Sequence, residues 1–288
     1  MKPTPFALGK LRWMLSQSAF KRKPLTVAWR MLAWEILRTI NRPLQYQYDE
    51  QFRIILRPNE GASRLTYYFG VSEPQLFEFY NCFLREGMVV VDAGANIGLH
   101  TLYFAKRVGN HGKVYAFEPD PSIFKRLNDH LDSNRVTNVI AINCALGSQA
   151  GEVSVVGNSA DTSRTYVTRT SSVEPEQTAK VVRLDRILST NNIDTVHFAK
   201  VDVEGFEYEL LVGSDDYLQK QQIDVLQVEL DQRSLDRANG SIETITALLD
   251  ARGYQRARWN SARGVFQRSS KDEYNTFFVS HRYHRLNS

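Results

Sequence analysis

The chain has 288 residues, 42% of them hydrophobic and 24% charged. That is an ordinary globular composition, with length for one large α/β domain or two small ones. The formal net charge of +4 is uneven: residues 1–42 hold Lys2, Lys10, Arg12, Lys21, Arg22, Lys23, Arg30, Arg38 and Arg42 against one acid, Glu35, so the basic balance is no nucleic-acid signature of the rest of the chain.

"PLTVAWRMLAWEILRTI" (24–40) predicts an amphipathic helix on which Leu25, Ala28, Trp29, Leu32, Ile36 and Leu37 share a face. Pro24 suits its start and Pro43 forbids its continuation. "LQYQY" and "FRIILR" follow as a hairpin around Asp49-Glu50-Gln51. Ser72-Glu73-Pro74-Gln75 reads as a capped helix start, with Ser72 at the N-cap and Gly87 as the stop.

From Met88 strands and helices alternate. "MVVVDA" is a buried strand, Asn96 to Val108 a helix, "KVYAFEPD" a strand, Ser122 to Ser133 a helix and "NVIAINCAL" a strand. "TVHFAKVDVE" and "DVLQVEL" are later strands, with "EYELLVGS" and "SIETITALLDARG" as helices. Apolar strands without polar alternation predict a doubly wound, largely parallel sheet covered on both faces. Residues 151–185 break the pattern with "GEVSVV", "SRTYVTR" and "AKVVRLD", short strands that suit a substrate lid or specificity insert. Within them "TRTSSVEPEQTAK" has a disorder-like composition. "GYQRARWN" and "YNTFFVSH" predict an antiparallel closing pair. The expected division is a basic helical and hairpin extension, 1–70, and a catalytic domain, 71–288.

Cys82 and Cys144 stand in no ligand spacing and are expected as buried free thiols in a reducing compartment. No apolar run reaches a membrane span, and Lys10 and Arg12 interrupt any signal-peptide core, so the expectation is cytoplasmic.

The strand "VVVDAGANIG" enters a glycine turn that opens a helix, and the next strand ends at Glu118. That combination marks a nucleoside ligand, with Glu118 spaced to accept ribose hydroxyls. A pyrophosphate needs glycine at the middle position, where this chain has Asn96. Asn tolerates left-handed backbone angles, so the turn survives. Asp92 adds negative charge that repels a pyrophosphate and suits an ammonium. An NAD(P)-dependent oxidoreductase is therefore the weaker reading. A non-catalytic module binding nucleic acid or lipid through the basic arm is a further alternative, though acidic strand ends repel phosphates.

"VVVDAGANIGLHTLYFAK", "VYAFEPDP", "NCALG", "RLDRIL" and "AKVDVEGFE" together resemble the FkbM family of S-adenosylmethionine-dependent methyltransferases. The resemblance runs from about Phe69 to Leu230. It implies a Rossmann-like seven-stranded methyltransferase sheet with a late antiparallel hairpin. It also implies cofactor contacts from Asp92, Gly94, Asn96 and Gly98 to the amino-acid end, from Glu118 to the ribose, and from the Asn143–Leu146 turn, with Asn143 and Ala145, to the adenine. Family members often carry an acid after "ALG"; here it is Ser148, which puts a side-chain contact to the adenine amino group in doubt.

Asp202 and Glu204 end one strand, and Glu229 and Asp231 end the next. Gathered carboxylates admit three readings. One is a general base that removes the proton of an acceptor hydroxyl. Another is a divalent metal held by Asp202, Glu229 and Asp231. The third is a structural role for Asp202. Lys200, two residues before Asp202, shares its face and is placed to pair with a carboxylate. Glu207 is either a site residue or a first-turn helix acid. His100 either faces the methyl group as a base or is a histidine partly buried against the sheet. The acceptor expected with this resemblance is a hydroxyl on a sugar, glycan or glycosylated metabolite, with no nucleic acid. The basic arm, with Trp13, Trp29 and Trp34, is expected first to pack on the catalytic domain. Docking to a partner or peripheral contact with an anionic inner-membrane face are its other readings.

Overall fold

The computed structural model describes residues 20, 23–71, 73–158, 161–168, 177–238, 240–283 and 286–287. Ser72, Trp13 and most of "TRTSSVEPEQTAK" fall outside them. The described residues form two compact units, parted between Glu78 and Phe79, with 161–163 grouped with the first.

The first unit holds α1 (Pro24–Ile40), β1 (Leu44–Gln47), β2 (Arg53–Leu56), α2 (Gly61–Phe69) and the start of α3 (Pro74–Phe83). β1 and β2 pair antiparallel from Leu44–Leu56 to Gln47–Arg53. Asp49 Oδ1 closes their turn by accepting from the Gln51 and Phe52 amides, 2.7 Å each. The packed face of α1 is Val27 and Trp34, with the Trp34 ring 5.3 Å from Tyr67 and 6.2 Å from Tyr68. This corrects the expected face: Leu25, Ala28, Trp29, Leu32 and Ile36 are exposed, and only Leu37 is partly covered. Apolar residues line both sides of the helix, so periodicity does not decide which side packs. The aromatic pair on α2, a helix the sequence reading missed, decides it.

The second unit is built on β3 (Val89–Ala93), α4 (Leu99–Val108), β4 (Lys113–Phe117), α5 (Pro121–Ser133), β5 (Val139–Ile142), β6 (Ala145–Leu146), β7 (Gly151–Asn158), β8 (Asp161–Thr168) and β9 (Gln177–Val182). It continues through α6 (Leu184–Thr190), β10 (Phe198–Val201), α7 (Glu207–Val212), α8 (Asp215–Gln219), β11 (Val225–Glu229), α9 (Gln232–Arg237), α10 (Ile242–Ala251), β12 (Tyr254–Asn260), β13 (Val265–Arg268), β14 (Asn275–Ser280) and β15 (Leu286–Asn287). Its main sheet has the order β15-β13-β12-β14-β11-β10-β3-β4-β5. β5, β4, β3, β10 and β11 run parallel, and β14 enters antiparallel between β11 and β12. That core is the doubly wound seven-stranded arrangement with a late antiparallel hairpin; β13 and β15 extend its edge.

Two elements depart from expectation. The first sheet helix begins at Leu99, not Asn96, because Asn96 adopts φ 50°. "NVIAINCAL" is two strands: Asn143 donates from Nδ2 to the carbonyls of Glu118 and Pro119, at 2.8 and 3.0 Å. The chain there leaves the main sheet, and β6 joins a second sheet of order β6-β9-β7-β8. Cys144 is buried as expected, but Cys82 is exposed, on the outer side of α3.

The strand order reverses at β3. From it the path steps outward through β4 and β5, then returns to β10 on the other flank. Open α/β sheets bind ligands at such a switch, beyond the carboxyl ends of the strands. Here those ends are Ala93–Gly94 and Val201–Asp202, joined by the Asp202 amide donating to the Ala93 carbonyl at 3.1 Å.

Candidate active site

The glycine loop is fixed from both sides. A Cβ on Gly94 (φ 80°) would lie 1.7 Å from the Asp202 carbonyl oxygen, so this glycine permits two strand-end loops to touch. Asn96 holds its left-handed turn by accepting the Ile97 amide on Oδ1 at 2.8 Å, and Gly98 stands at the N-cap of α4. Glu118 accepts the Asn96 amide on Oε2 and the Asp120 amide on Oε1, 2.9 Å each. Glu118 therefore clamps the loop to its own strand end. Burial pushes its pKa up to about 8, against those two amides.

Below the loop, Asp92 is fully buried and its Oδ2 accepts from Thr101 Oγ1 at 2.6 Å. Its Oδ1 is buried with no hydrogen-bond partner among the described residues. An orphaned carboxylate oxygen beside a left-handed turn suits an ammonium-bearing ligand and opposes a pyrophosphate. The residues present therefore fit the amino-acid end of S-adenosylmethionine. In the turn expected to face the adenine, Asn143 is exposed, with its amide tied to the Glu118 and Pro119 carbonyls just past β4, and the Ala145 side chain is buried in the core of the second sheet. Ser148 Oγ donates to Glu209 Oε2, so its hydroxyl is engaged with α7.

Sheet register assembles the acidic face. Asp92, Lys200 and Gln227 are cross-strand neighbours on β3, β10 and β11, so their side chains share a face. Asp202 and Glu229 lie two residues further on, toward the switch. Lys200 Nζ, on a side chain only 3% exposed, donates to Asp202 Oδ2 at 2.6 Å. Burial raises the Asp202 pKa, but Lys200, a hydrogen bond from Glu229 and nearby His100 outweigh it and hold the group below the usual carboxylate range. Glu229 moves the opposite way, raised by its own burial and by the Asp202 charge. One proton is thus held on Glu229 and offered to an ionised Asp202.

Glu204 follows in a left-handed conformation, φ 55°, which costs a residue with a Cβ about 1–3 kcal/mol and clusters at functional sites. Gly205 then turns at φ 109°, where a Cβ would meet the Ser234 carbonyl oxygen at 2.2 Å. Burial and then Asp202 raise the Glu204 pKa to about 7, against Arg237, whose Nη2 lies 3.5 Å from Glu204 Oε2. Glu207 Oε1 accepts the Val203 and Gly205 amides at 3.1 and 3.2 Å. It is a buried fastener of the acid loop, its pKa raised by burial to about 7.

The three carboxylates considered as metal ligands make other contacts. Asp202 is engaged by Lys200 and Glu229, and Asp231 accepts instead from Arg233 Nε and Ser234 Oγ at 3.3 and 3.2 Å. Among the described residues no group of three His, Cys, Asp or Glu is arranged as a ligand set. His100 does come together with Asp202, and its ring lies 5.7 Å from that of Tyr80.

Several residues that no motif marks join the site from distant elements. Tyr80 Oη donates to Gln227 Oε1 at 2.7 Å, and Gln227 Nε2 donates to Asn275 Oδ1 at 2.9 Å. This chain extends the polar face across the sheet. A glutamine amid the apolar run "DVLQVEL" was its visible signal. Arg237 also stacks over the Tyr166 ring of β8, 4.8 Å to the centroid. No sequence spacing links residues so far apart. Phe206 and Val203 pack into the second sheet beside Val153, Val155 and Val167, so that sheet rests on the loop carrying Glu204.

A family model described as the methyltransferase FkbM domain matches residues 92–256, more than half of the chain. The hexuronic acid methyltransferase AglP of Haloferax volcanii is 32% identical over 135 residues, 47% of this chain and 53% of that protein. The match therefore spans about half of that relative's length. Methyltransferase 1 of Beauveria bassiana is 31% identical over 184 residues, 57% of this chain and 71% of that protein. Fibrillarin from Aeropyrum pernix, solved with S-adenosyl-L-methionine, superposes with a TM-score of 0.40 at 13% identity, over 71% of this chain and 73% of that one. On its matched domain the chain belongs to the FkbM family of S-adenosylmethionine-dependent methyltransferases.

Proposed function

We propose that the protein methylates a hydroxyl oxygen of a sugar, glycan or glycosylated metabolite, with Glu204 as general base. The observation that carries this is a carboxyl group with a pKa of about 7 beside the ionised Asp202 at the switch point. A base matched to neutral pH removes a hydroxyl proton most effectively as the new C–O bond forms. Bound S-adenosylmethionine supplies the methyl group on an electrophilic sulfonium. Asp92, Gly94, Asn96 and Gly98 hold its amino-acid end and Glu118 its ribose; Asn143 and the Ala145 backbone border the adenine. Asp202 keeps negative charge at the acceptor and, with Lys200, fixes the Glu204 loop; His100 is the second candidate to take the proton. The described strands β7, β8 and β9 line the acceptor side, where Arg237 links the Tyr166 ring to Glu204. The catalytic part is 71–288 and the extension 1–70.

The likeness to AglP, a hexuronic acid methyltransferase, supports the sugar class. We place the protein in the cytoplasm, with a peripheral contact at the inner membrane face through its basic N-terminal segment. No helix among the described residues is long and apolar enough to cross a membrane. The test is transfer of labelled methyl from S-adenosylmethionine to uronate- and hexose-containing acceptors across pH. Turnover rising through neutral pH in the native enzyme, and lost in Glu204→Gln with S-adenosylhomocysteine binding kept, is the expected result. Full turnover by Glu204→Gln would overturn the assignment.

A further inference from the structure

The face of α1 that does not pack is a continuous apolar ridge. Leu25, Trp29, Leu32, Ile36 and Ile40 recur at helical spacing and are 85%, 66%, 58%, 55% and 56% exposed. Advancing at 100° per residue, they lie roughly opposite Val27 and Trp34, the buried pair. The ridge is roughly 22 Å long. Scattered exposed apolar residues need no explanation, but a ridge of five along one helix does.

We propose that this ridge lies in the surface of an anionic lipid bilayer. The proposal deepens the peripheral contact above by naming the face that makes it. Charge selects the occupant: residues 1–42 hold nine basic side chains and one acid. That acid, Glu35, is paired with Arg38 at 2.9 Å, so no lone carboxylate flanks the ridge on the helix. Exposed Lys23 and Arg42 stand at its two ends. An apolar ridge that includes a tryptophan and has basic ends is the pattern of a helix lying in the headgroup plane, where the ring and aliphatic side chains enter the acyl boundary and the cations meet phosphates. A second copy or a protein partner presenting an apolar groove has no need of a nine-to-one cationic excess.

The full chain is to be sedimented with vesicles of phosphatidylcholine alone and of phosphatidylcholine mixed with phosphatidylglycerol, at low and high salt. Its triple variant Trp29→Ser, Leu32→Ser, Ile36→Ser is run beside it. These side chains are exposed, so retained S-adenosylhomocysteine binding and an unchanged thermal transition are expected and control for folding. The native chain should bind the anionic vesicles, more weakly in salt, and the variant should bind at least roughly tenfold less tightly. Equal binding by native and variant chains overturns the ridge while leaving a contact through the basic arm. Failure of the native chain to bind anionic vesicles overturns both. A native dimer that the triple variant dissociates, with no vesicle binding, assigns the ridge to a second copy and refutes the proposal.

Discussion

Replacing Lys200 by methionine tests the electrostatics of the acidic face directly. Its Nζ lies 2.6 Å from Asp202 Oδ2 on a side chain 3% exposed, against 28% for Asp202. At an effective dielectric near 20 this separation corresponds to roughly 6 kcal/mol of gross attraction. Desolvation offsets part of that, and removing one partner of a buried pair costs about 3–5 kcal/mol. The partial exposure of Asp202 places the expected loss toward about 3 kcal/mol. In the native protein the Asp202 pKa is depressed, so its contribution is present above the unfolded value and lost as pH falls through the folded one. Without Lys200, burial and the neighbouring acids raise that pKa. The deficit should therefore be largest at about pH 8 and shrink as pH falls and Asp202 takes up a proton. Urea unfolding of both proteins at several pH values reads this out. Adding Asp202→Asn to the Lys200→Met variant should restore part of the loss, since no unpaired charge then remains. A deficit below about 1 kcal/mol, or one independent of pH, would refute the buried-pair reasoning.

Glu207→Gln should raise stability at about pH 8 relative to about pH 5, by up to roughly 3 kcal/mol. The native pKa is raised to about 7, so the native contribution is lost as pH climbs through that value, whereas glutamine keeps the two amide contacts uncharged; calorimetric melting across pH checks it. Glu118→Ala strips the Asn96 and Asp120 amides of their acceptor, at about 1–3 kcal/mol each, and should weaken S-adenosylhomocysteine binding measured by calorimetry. Glu204→Gln should lower turnover by about 10²–10⁴-fold, with the neutral-pH limb gone from the rate profile. Gly94→Ala should yield no folded, cofactor-binding protein, since the new methyl meets backbone rather than a yielding side chain; circular dichroism and ligand binding decide this.

Much of the catalytic unit is visible in the chain because its signals are local. "VVVDAGANIG" contains both strand and turn, and Glu118 follows at the end of the adjacent strand. The same locality placed Lys200 beside Asp202, two residues apart on one strand. What the chain conceals depends on partners distant in sequence. Gly94 reads as room for a ligand, yet the Asp202 carbonyl occupies the space where its Cβ would be. Arg237 and Tyr166 meet only through the packing of β8 and α9. "NVIAINCAL" looks continuous, but Asn143 turns its amide onto the Glu118 and Pro119 carbonyls just past β4, and β6 joins another sheet. α1 shows the limit of periodicity most plainly: with two apolar sides, its pattern predicts burial without saying which side.

The central claim is that this switch point holds a sulfonium nucleoside, not a dinucleotide. Calorimetric titration of the full chain with S-adenosylhomocysteine and, separately, with NADH tests it most directly. Saturable one-to-one binding of S-adenosylhomocysteine, weakened by Glu118→Ala, and no binding of NADH are the expected results. Binding of NADH with none of S-adenosylhomocysteine would contradict the claim.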